Sequence, residues 1–457
     1  MQLLAIDWAV VGIKAGQLIL ALSILVILHE FGHYITARWF GCRVEKFYLF
    51  FDPWFSLFKK KIGDTEYGVG WLPLGGYVKI SGMIDESMDK EAMKQPPQPW
   101  EFRSKPSWQR LIIMLGGIIM NVIVAILIYA MVLFIWGESK VQMSSLKYGI
   151  AFQDSMYNKI GFVKGDKIIS IDGKEVLYLD DATLKVFTGR TAVVDRNGTQ
   201  VNLSFPESLI GDLIESKKRG GLRLEPRVPA IVGSFDGIDK SPAKEAGLLE
   251  GDVIKYIDSQ QVTFFDEIRP ILLNTKNKEV AIIYERNGET KTTVSKMTEE
   301  KKLNLPYIYD LNKLDSMKVL NIETKSYSLL GSIPAGFALT GEKLKAYIDQ
   351  FRLILSPKTG AYKGLGGFKA IANAFPGVWD WESFWSMTAF LSIVLAFMNL
   401  LPIPALDGGH VMFTLYEMIT RRKPNEKFLE YAQMAGMIFL LLLMLYANGN
   451  DWFGWGK

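Results

Sequence analysis

Cysteine and histidine are almost missing from this chain of 457 residues, which has one cysteine, Cys42, and three histidines. A lone cysteine excludes an internal disulfide and a cysteine-ligated zinc site, so any metal here must be held by histidine and carboxylate. Charge is scarce as well. Charged residues make up 22% of the chain against 49% hydrophobic, and the mean hydropathy of +0.14 lies on the apolar side for a soluble enzyme. The 52 basic and 48 acidic side chains leave a net charge of only +4, too balanced for the footprint of a DNA or RNA binder, so no nucleic-acid partner is expected. By length the chain accommodates about three domains. A membrane protein with soluble parts fits these bounds.

Long apolar runs are what the chain has instead. Leu111 to Trp136 holds 26 residues without a charge, Ser383 to Leu406 holds 24, and Tyr431 to Asn450 holds 20. Each is long enough to cross a hydrocarbon layer about 30 Å thick. A fourth run, Val10 to Ile35, is apolar but carries Lys14, His29, Glu30 and His33. It lacks a basic residue ahead of Lys14 and a small-residue cleavage site after it, so it reads as a retained helix and not as a signal peptide. Residues 38–110 carry 12 Lys and Arg against 9 Asp and Glu, and Arg421, Arg422, Lys423 and Lys427 follow the third run. The positive-inside rule places both connections in the cytoplasm, with both termini and the stretch 137–382 outside.

That outer stretch contains a repeat. Gly161, Gly165, Asp166, Ile168 and Asp172 recur 86 residues later as Gly247, Gly251, Asp252, Ile254 and Asp258. Each copy continues to an Asn-Gly pair between alternating apolar runs, Asn197-Gly198 and Asn287-Gly288, a strong hairpin signal. The Gly-x3-Gly-Asp-x-Ile pattern resembles PDZ domains, whose groove binds an extended peptide by adding a strand. Beyond the repeats, Phe337, Leu344, Ile348, Phe351 and Leu355 recur at helical spacing. This pattern suits an amphipathic helix on the outer membrane surface or an ordinary packing helix.

Two of the three histidines stand in His29-Glu30-Phe31-Gly32-His33. On a helix, H-E-x-x-H puts two imidazoles on one face at i and i+4, as zinc needs, with the glutamate beside them as a general base. Polar groups at membrane depth need compensation, since a central charge costs about 2.5 to 3.5 kcal/mol even on insertion scales. A catalytic zinc usually takes a third protein ligand, and Asp407 is the candidate, with His410 as its rival in the same stretch. Pro402, Pro404, Gly408 and Gly409 surround them and should break the helix there, which a bilayer tolerates only where the backbone is buried in protein or lines a cavity.

With these parts in order, the chain resembles the site-2 protease family of intramembrane zinc metalloproteases, bacterial RseP type, over nearly its whole length. The resemblance rests on His29-Glu30-Phe31-Gly32-His33, Gly75-Gly76-Tyr77-Val78-Lys79, Gly117 and Asn121 in the second apolar run, the two PDZ-like copies, and Asn399, Pro402 and Asp407-Gly408. It departs at Ile118, where related proteins commonly have proline after the glycine. The resemblance implies a Zn2+ held by His29, His33 and Asp407, with Glu30 as catalytic base, Asn399 and Pro402 touching substrate, and His410 behind the ligands. It also implies that Thr65 to Lys79, with alternating Tyr67, Val69 and Trp71, forms a membrane-associated β-hairpin whose edge could pair with an extended substrate.

The expected fold is a multi-pass α-helical membrane protein with four transmembrane helices, two inserted PDZ-like α+β domains and that hairpin. The expected divisions are 1–37, the first transmembrane helix; 38–110, a cytoplasmic loop with the hairpin; 111–136, the second helix; 145–225 and 226–300, the PDZ-like domains; 301–382, a linker with the amphipathic helix; 383–419, the third segment with the Asp ligand; and 428–450, the fourth helix. The implied function is regulated intramembrane proteolysis at the bacterial inner membrane. Its substrates would be single-pass membrane proteins in the lipid bilayer, such as anti-sigma-factor-like proteins or signal-peptide remnants. The alternatives are a noncatalytic PDZ adaptor and a zinc hydrolase acting on lipid or soluble peptides; H-E-x-x-H argues against the first, the duplicated peptide module against the second.

Overall fold

The long apolar runs fold here as helices, three of them from a polar cap. In chain order, and apart from shorter pieces, the helices are α1 (Trp8–Trp39), α2 (Ser107–Ile135), α3 (Leu179–Thr188), α4 (Phe265–Asn274), α5 (Leu329–Leu355), α6 (Phe368–Ala374), α7 (Trp381–Leu400), α8 (Asp407–Thr420) and α9 (Glu426–Phe453). The computed structural model describes residues 7–83, 96–152, 156–206, 209, 224–236, 238, 240–422 and 424–455. Parts of the expected cytoplasmic loop (84–95) and of the first PDZ-like division (207–208 and 210–223) lie outside the described residues. The chain divides into two units, one of residues 1–137, 326–352 and 364–457, the other of 138–325 and 353–363.

In the first unit α1, α2, α7 and α9 are long and apolar enough to cross a membrane. Asp7 caps α1 through Ala9 N and Val10 N, Asp380 caps α7 through Ser383 N, and Asn425 caps α9 through Lys427 N. α2 runs unbroken through Ile118, so the missing proline leaves a regular helix there. The helices share a core of Leu18, Ala21 and Leu25 from α1, Val124, Ala125 and Ile128 from α2, and Phe384, Leu391 and Ile393 from α7. Ile438, Leu441, Leu442 and Leu445 of α9 stay exposed, as suits a hydrocarbon surround. α5 packs on α2 and α7 through part of its length, while Phe337 and Leu355 stay exposed. A Cβ on Gly336 would lie 2.7 Å from Ala130 N, and Tyr347 and Phe351 meet the Phe397 ring edge-on.

The first unit also holds β1 (Val44–Ile62) and β2 (Thr65–Ile80), both long and bent. Residues 44–49 pair on one side with Gly76–Ile80 and on the other with Glu66–Val69, while 56–62 pair with 65–70. The sheet therefore begins well before the hairpin read from 65–79, and its first half comes from the apolar stretch ahead of it.

In the second unit the repeat is visible strand for strand. β3 (Lys167–Ile171), β4 (Lys174–Glu175), β5 (Thr191–Arg196) and β6 (Thr199–Ser204) form a sheet of order β4-β3-β5-β6. β7 (Val253–Ile257), β8 (Gln260–Gln261), β9 (Glu279–Arg286) and β10 (Glu289–Lys296) form its counterpart, β8-β7-β9-β10. The shared motif has a physical reason. Buried Asp166 takes both a fork from Arg196, at 2.8 and 2.9 Å, and the N–H of Val163; buried Asp252 does the same with Arg286 and Leu249 N. Each arginine also donates to the first glycine's carbonyl, Gly161 or Gly247. The Asn-Gly pairs sit in the left-handed region at both positions, φ 51° and 86° in one copy and 54° and 83° in the other, as a type I′ hairpin turn requires. Outside the membrane helices, burial would raise the Asp172 carboxyl, but the N–H groups of Arg190 and Thr191 hold it below the usual range.

Residues 301–325, read above as linker, fold into this unit. Leu303 joins the core of the second repeat, while Ile308, Leu314, Val319 and Leu320 join that of the first. Ile322–Lys325 pairs with Glu138–Val141. Removing one half of the buried fork tests this scheme. Asp252→Ala leaves Arg286 without its charged acceptor and should cost about 2–3 kcal/mol in the second repeat. The expected outcome is faster hydrogen exchange in β7 and β9 with unchanged exchange in α1 and α2; unchanged exchange in β9 would contradict it.

Candidate metal centre

His29 and His33 lie one turn apart on α1, and Asp407 is the first residue of α8. All belong to the first unit. Their three donor atoms face one another: His29 Nε2 and His33 Nε2 are 3.3 Å apart, and Asp407 Oδ2 is 3.2 Å from each. Among the described residues this is the one group of three His, Cys, Asp or Glu able to hold an ion. The spacing fits a metal, because donors at about 2.0–2.1 Å from a tetrahedral zinc stand about 3.3 Å apart.

The far sides of both rings rest on α2. His33 Nδ1 donates to the Ile113 carbonyl at 2.8 Å, which turns its Nε2 lone pair to the centre. His29 Nδ1 lies 3.1 Å from the amide of Asn121, a fully buried side chain whose Oδ1 otherwise has no partner. The atom facing the ring is Nδ2; amide O and N differ only by rotation, and the rotated amide presents Oδ1 as acceptor for the His29 N–H, with Nδ2 then in the place that Oδ1 leaves. Glycines make room for this approach. A Cβ on Gly117 would strike His33 Nε2 and lie 2.6 Å from His29 Cε1, and a Cβ on Gly32 would strike the Gly116 carbonyl. Small residues at an apolar helix crossing permit such contact.

Between α7 and α8 the backbone is irregular over 401–406, with Ala405 at φ 84°. The segment folds back over the start of α8, where a Cβ on Gly408 would strike the Leu401 carbonyl and one on Gly409 would lie 2.7 Å from that of Ile403. The helix start favours a carboxylate at Asp407. Asn399, one residue from the end of α7, places its Nδ2 3.4 Å from His29 Nε2, and Pro402 lies exposed in the break. His410 stays apart from the three donors and meets Gln433 of α9 at 3.1 Å. Glu30 sits beside β2, where a Cβ on Gly76 would lie 3.6 Å from its Cγ. Neither the Ile113 carbonyl nor the part played by Gly32 and Gly116 was read from the sequence; the Gly116-Gly117 pair in a charge-free helix was the available signal.

The sequence pattern of peptidase family M50 matches residues 17–443. The chain belongs to this family. Among similar M50-type proteins, the regulator of sigma E protease of Haemophilus influenzae is 26% identical over 456 residues, covering 95% of this chain and 98% of the relative. Relatives named zinc metalloproteases include one from Neisseria meningitidis, 26% identical over 483 residues, and one from Vibrio cholerae, 28% identical over 471. Each covers 95% of this chain and 97% of its own. This M50 protein is a zinc metalloprotease of the RseP type, and the two imidazoles and one carboxylate are a donor set suited to its zinc. Asn121→Leu, which removes the acceptor behind His29, should lower zinc affinity about 10- to 100-fold, while Asn121→Asp retains it. Competition with a chromophoric chelator measures both; equal affinity in the leucine variant would contradict this role.

Proposed function

We propose that this M50 protease cuts the transmembrane segments of single-pass proteins inside the bacterial inner membrane, with zinc held by His29, His33 and Asp407. The observation that carries the reading is the meeting of these three donors on helices that belong to a bundle apolar enough to span a bilayer. Zinc held there supplies a Lewis acid that polarises the scissile carbonyl and acidifies water. Glu30, next to His29 on α1, accepts the proton of the attacking water on its carboxylate and returns it to the leaving amide nitrogen. Asp407 supplies negative charge that offsets the metal's, and Asn121 and the Ile113 carbonyl hold the two rings in the tautomer that leaves Nε2 free.

A substrate helix hides its carbonyls in internal hydrogen bonds, so it must unwind before it is cut. Two features support a place for the unwound chain. Strand residues Gly76–Ile80 bond residues 44–49 on one side only among the described residues, and Gly76 lies against Val26 and Glu30 of α1. Extended substrate added to that edge has its backbone groups paired. Asn399 both donates and accepts, and beside His29 it can replace hydrogen bonds that the substrate loses; Pro402 keeps the neighbouring backbone out of helix.

The two outer repeats are read as PDZ-like modules on their shared motif and strand order, and their insertion between the second and third spans supports a part in choosing which substrates enter. The distribution of Lys and Arg supports an extracytoplasmic side for them and for both termini. A relative named regulator of sigma E protease fits a part in regulated proteolysis; anti-sigma-factor-like proteins or signal-peptide remnants are the substrates proposed on the resemblance alone. Cleavage of a reconstituted single-pass substrate tests the reading. Glu30→Gln should lower the rate by at least about 100-fold and keep the zinc, since its amide cannot take the proton. Asn399→Leu should also cut poorly with normal zinc. Rates near wild type in Glu30→Gln would remove the proposed base.

A further inference from the structure

The outer arm of the β1/β2 sheet carries a pattern that the proteolytic site does not use. Residues 54–62 read Trp-Phe-Ser-Leu-Phe-Lys-Lys-Lys-Ile. Trp54 is 91% exposed and Leu57 65%, with Phe55, Phe58 and Ile62 also open to the surround. The aromatic end is ordered, not loose: Trp71 stacks with both Trp54 and Phe55, and its indole N–H donates to the Pro53 carbonyl at 2.9 Å. Lys59, Lys60 and Lys61 follow directly and are exposed. Among the described residues no carboxylate pairs with any of them. The nearby acids are engaged elsewhere, Asp52 with Ser56 and Tyr77, Asp64 with Arg43, and Glu66 with Tyr48. Extended strand rises about 3.3 Å per residue, so Phe55 and the first ammonium, that of Lys59, stand roughly 13 Å apart along the strand. That span suits rings at the acyl boundary with ammoniums among the headgroups.

We propose that the arm Trp54–Ile62 docks on anionic phospholipid headgroups of the bilayer and thereby holds strand Gly76–Ile80 at its working depth beside Glu30. Charge complementarity selects this occupant: three lysines that no carboxylate pairs with among the described residues adjoin an aromatic wedge, with no acidic residue in the sequence between 53 and 63 and Glu66, across the strand from Lys61, bonded to Tyr48. The arm reaches the site through one sheet, because residues 44–49 pair with both Glu66–Val69 and Gly76–Ile80. The second half of the proposal rests on the reading of Gly76–Ile80 as the substrate's strand. Lysines on an edge strand also discourage edge-to-edge association, and that role alone requires no lipid dependence.

The test places the full-length zinc protein in nanodiscs of phosphatidylcholine alone or mixed with phosphatidylglycerol. Hydrogen exchange over 54–62 and cleavage of a single-pass substrate are then read in each. In the mixed lipid, exchange should slow and cleavage rise by at least about threefold. Both differences should vanish in the combined Lys59→Gln, Lys60→Gln and Lys61→Gln variant, whose zinc content stays normal, and in about 1 M salt. Equal exchange of the wild type in the two lipids, or a lipid response that survives the triple variant, overturns the docking. Slowed exchange without faster cleavage overturns the link to working depth. Absence of cleavage in both lipids speaks against the proteolytic reading, while exchange still decides the docking.

Discussion

Two imidazoles set at membrane depth must be aimed from behind, because a ring nitrogen left without a partner in an apolar surround costs free energy and lets the ring turn. α2 meets that demand. It brings the Ile113 carbonyl to His33 and the Asn121 amide to His29, and it can do so only because Gly32, Gly116 and Gly117 remove the side chains that would hold the two helices apart. The same approach buries Asn121 completely, and Ser392 of α7 donates to its backbone carbonyl at 2.7 Å. Three helices are thereby fixed around one small polar centre. Much of the remaining architecture serves to bring Asp407 to that centre.

Asp407 cannot arrive on a continuous span. A helix running through 401–406 would carry the carboxylate past the histidines, whereas the break turns the chain so that α8 starts at the centre. The break exposes backbone that hydrocarbon would not tolerate, and the fourth span covers part of it: Gly436 of α9 lies against the Pro404 carbonyl, and Gln433 reaches His410. A lipid-facing helix with little protein around its apolar side thus gains a structural reason, as cover for the irregular segment. In the second unit the polar problem is simpler and is solved twice, by the same aspartate–arginine fork in each repeat.

How much of this was legible depended on whether the signal is local. H-E-x-x-H is a spacing within one helix, and the Pro and Gly around Asp407 announce a broken helix by themselves. The repeat was visible because its glycines, with Asp172 and Asp258, sit at positive φ that few other residues accept, while buried Asp166 and Asp252 each hold an arginine fork. The Asn121 contact was not legible as a role, since nothing in a sequence says which nitrogen of which ring an amide will face. The first half of the sheet was missed for another reason. Residues 47–58 are apolar or aromatic but for Asp52 and Ser56 and include Pro53, which hides the alternation of a strand, and pairing on both edges of 44–49 is a long-range fact. Leu303, Ile308 and Val319 likewise looked like linker because their partners lie far earlier in the chain.

The account stands on one coordination sphere, and X-ray absorption at the zinc edge of the full-length protein reads it directly. The expected first shell has two imidazole nitrogens and carboxylate oxygen at about 2.0–2.2 Å, with no sulfur. Asp407→Ala should lose an oxygen scatterer and keep both imidazoles, while His410→Ala should leave the spectrum unchanged. A sulfur contribution from Cys42 at about 2.3 Å, or loss of an imidazole in His410→Ala, would contradict the assignment.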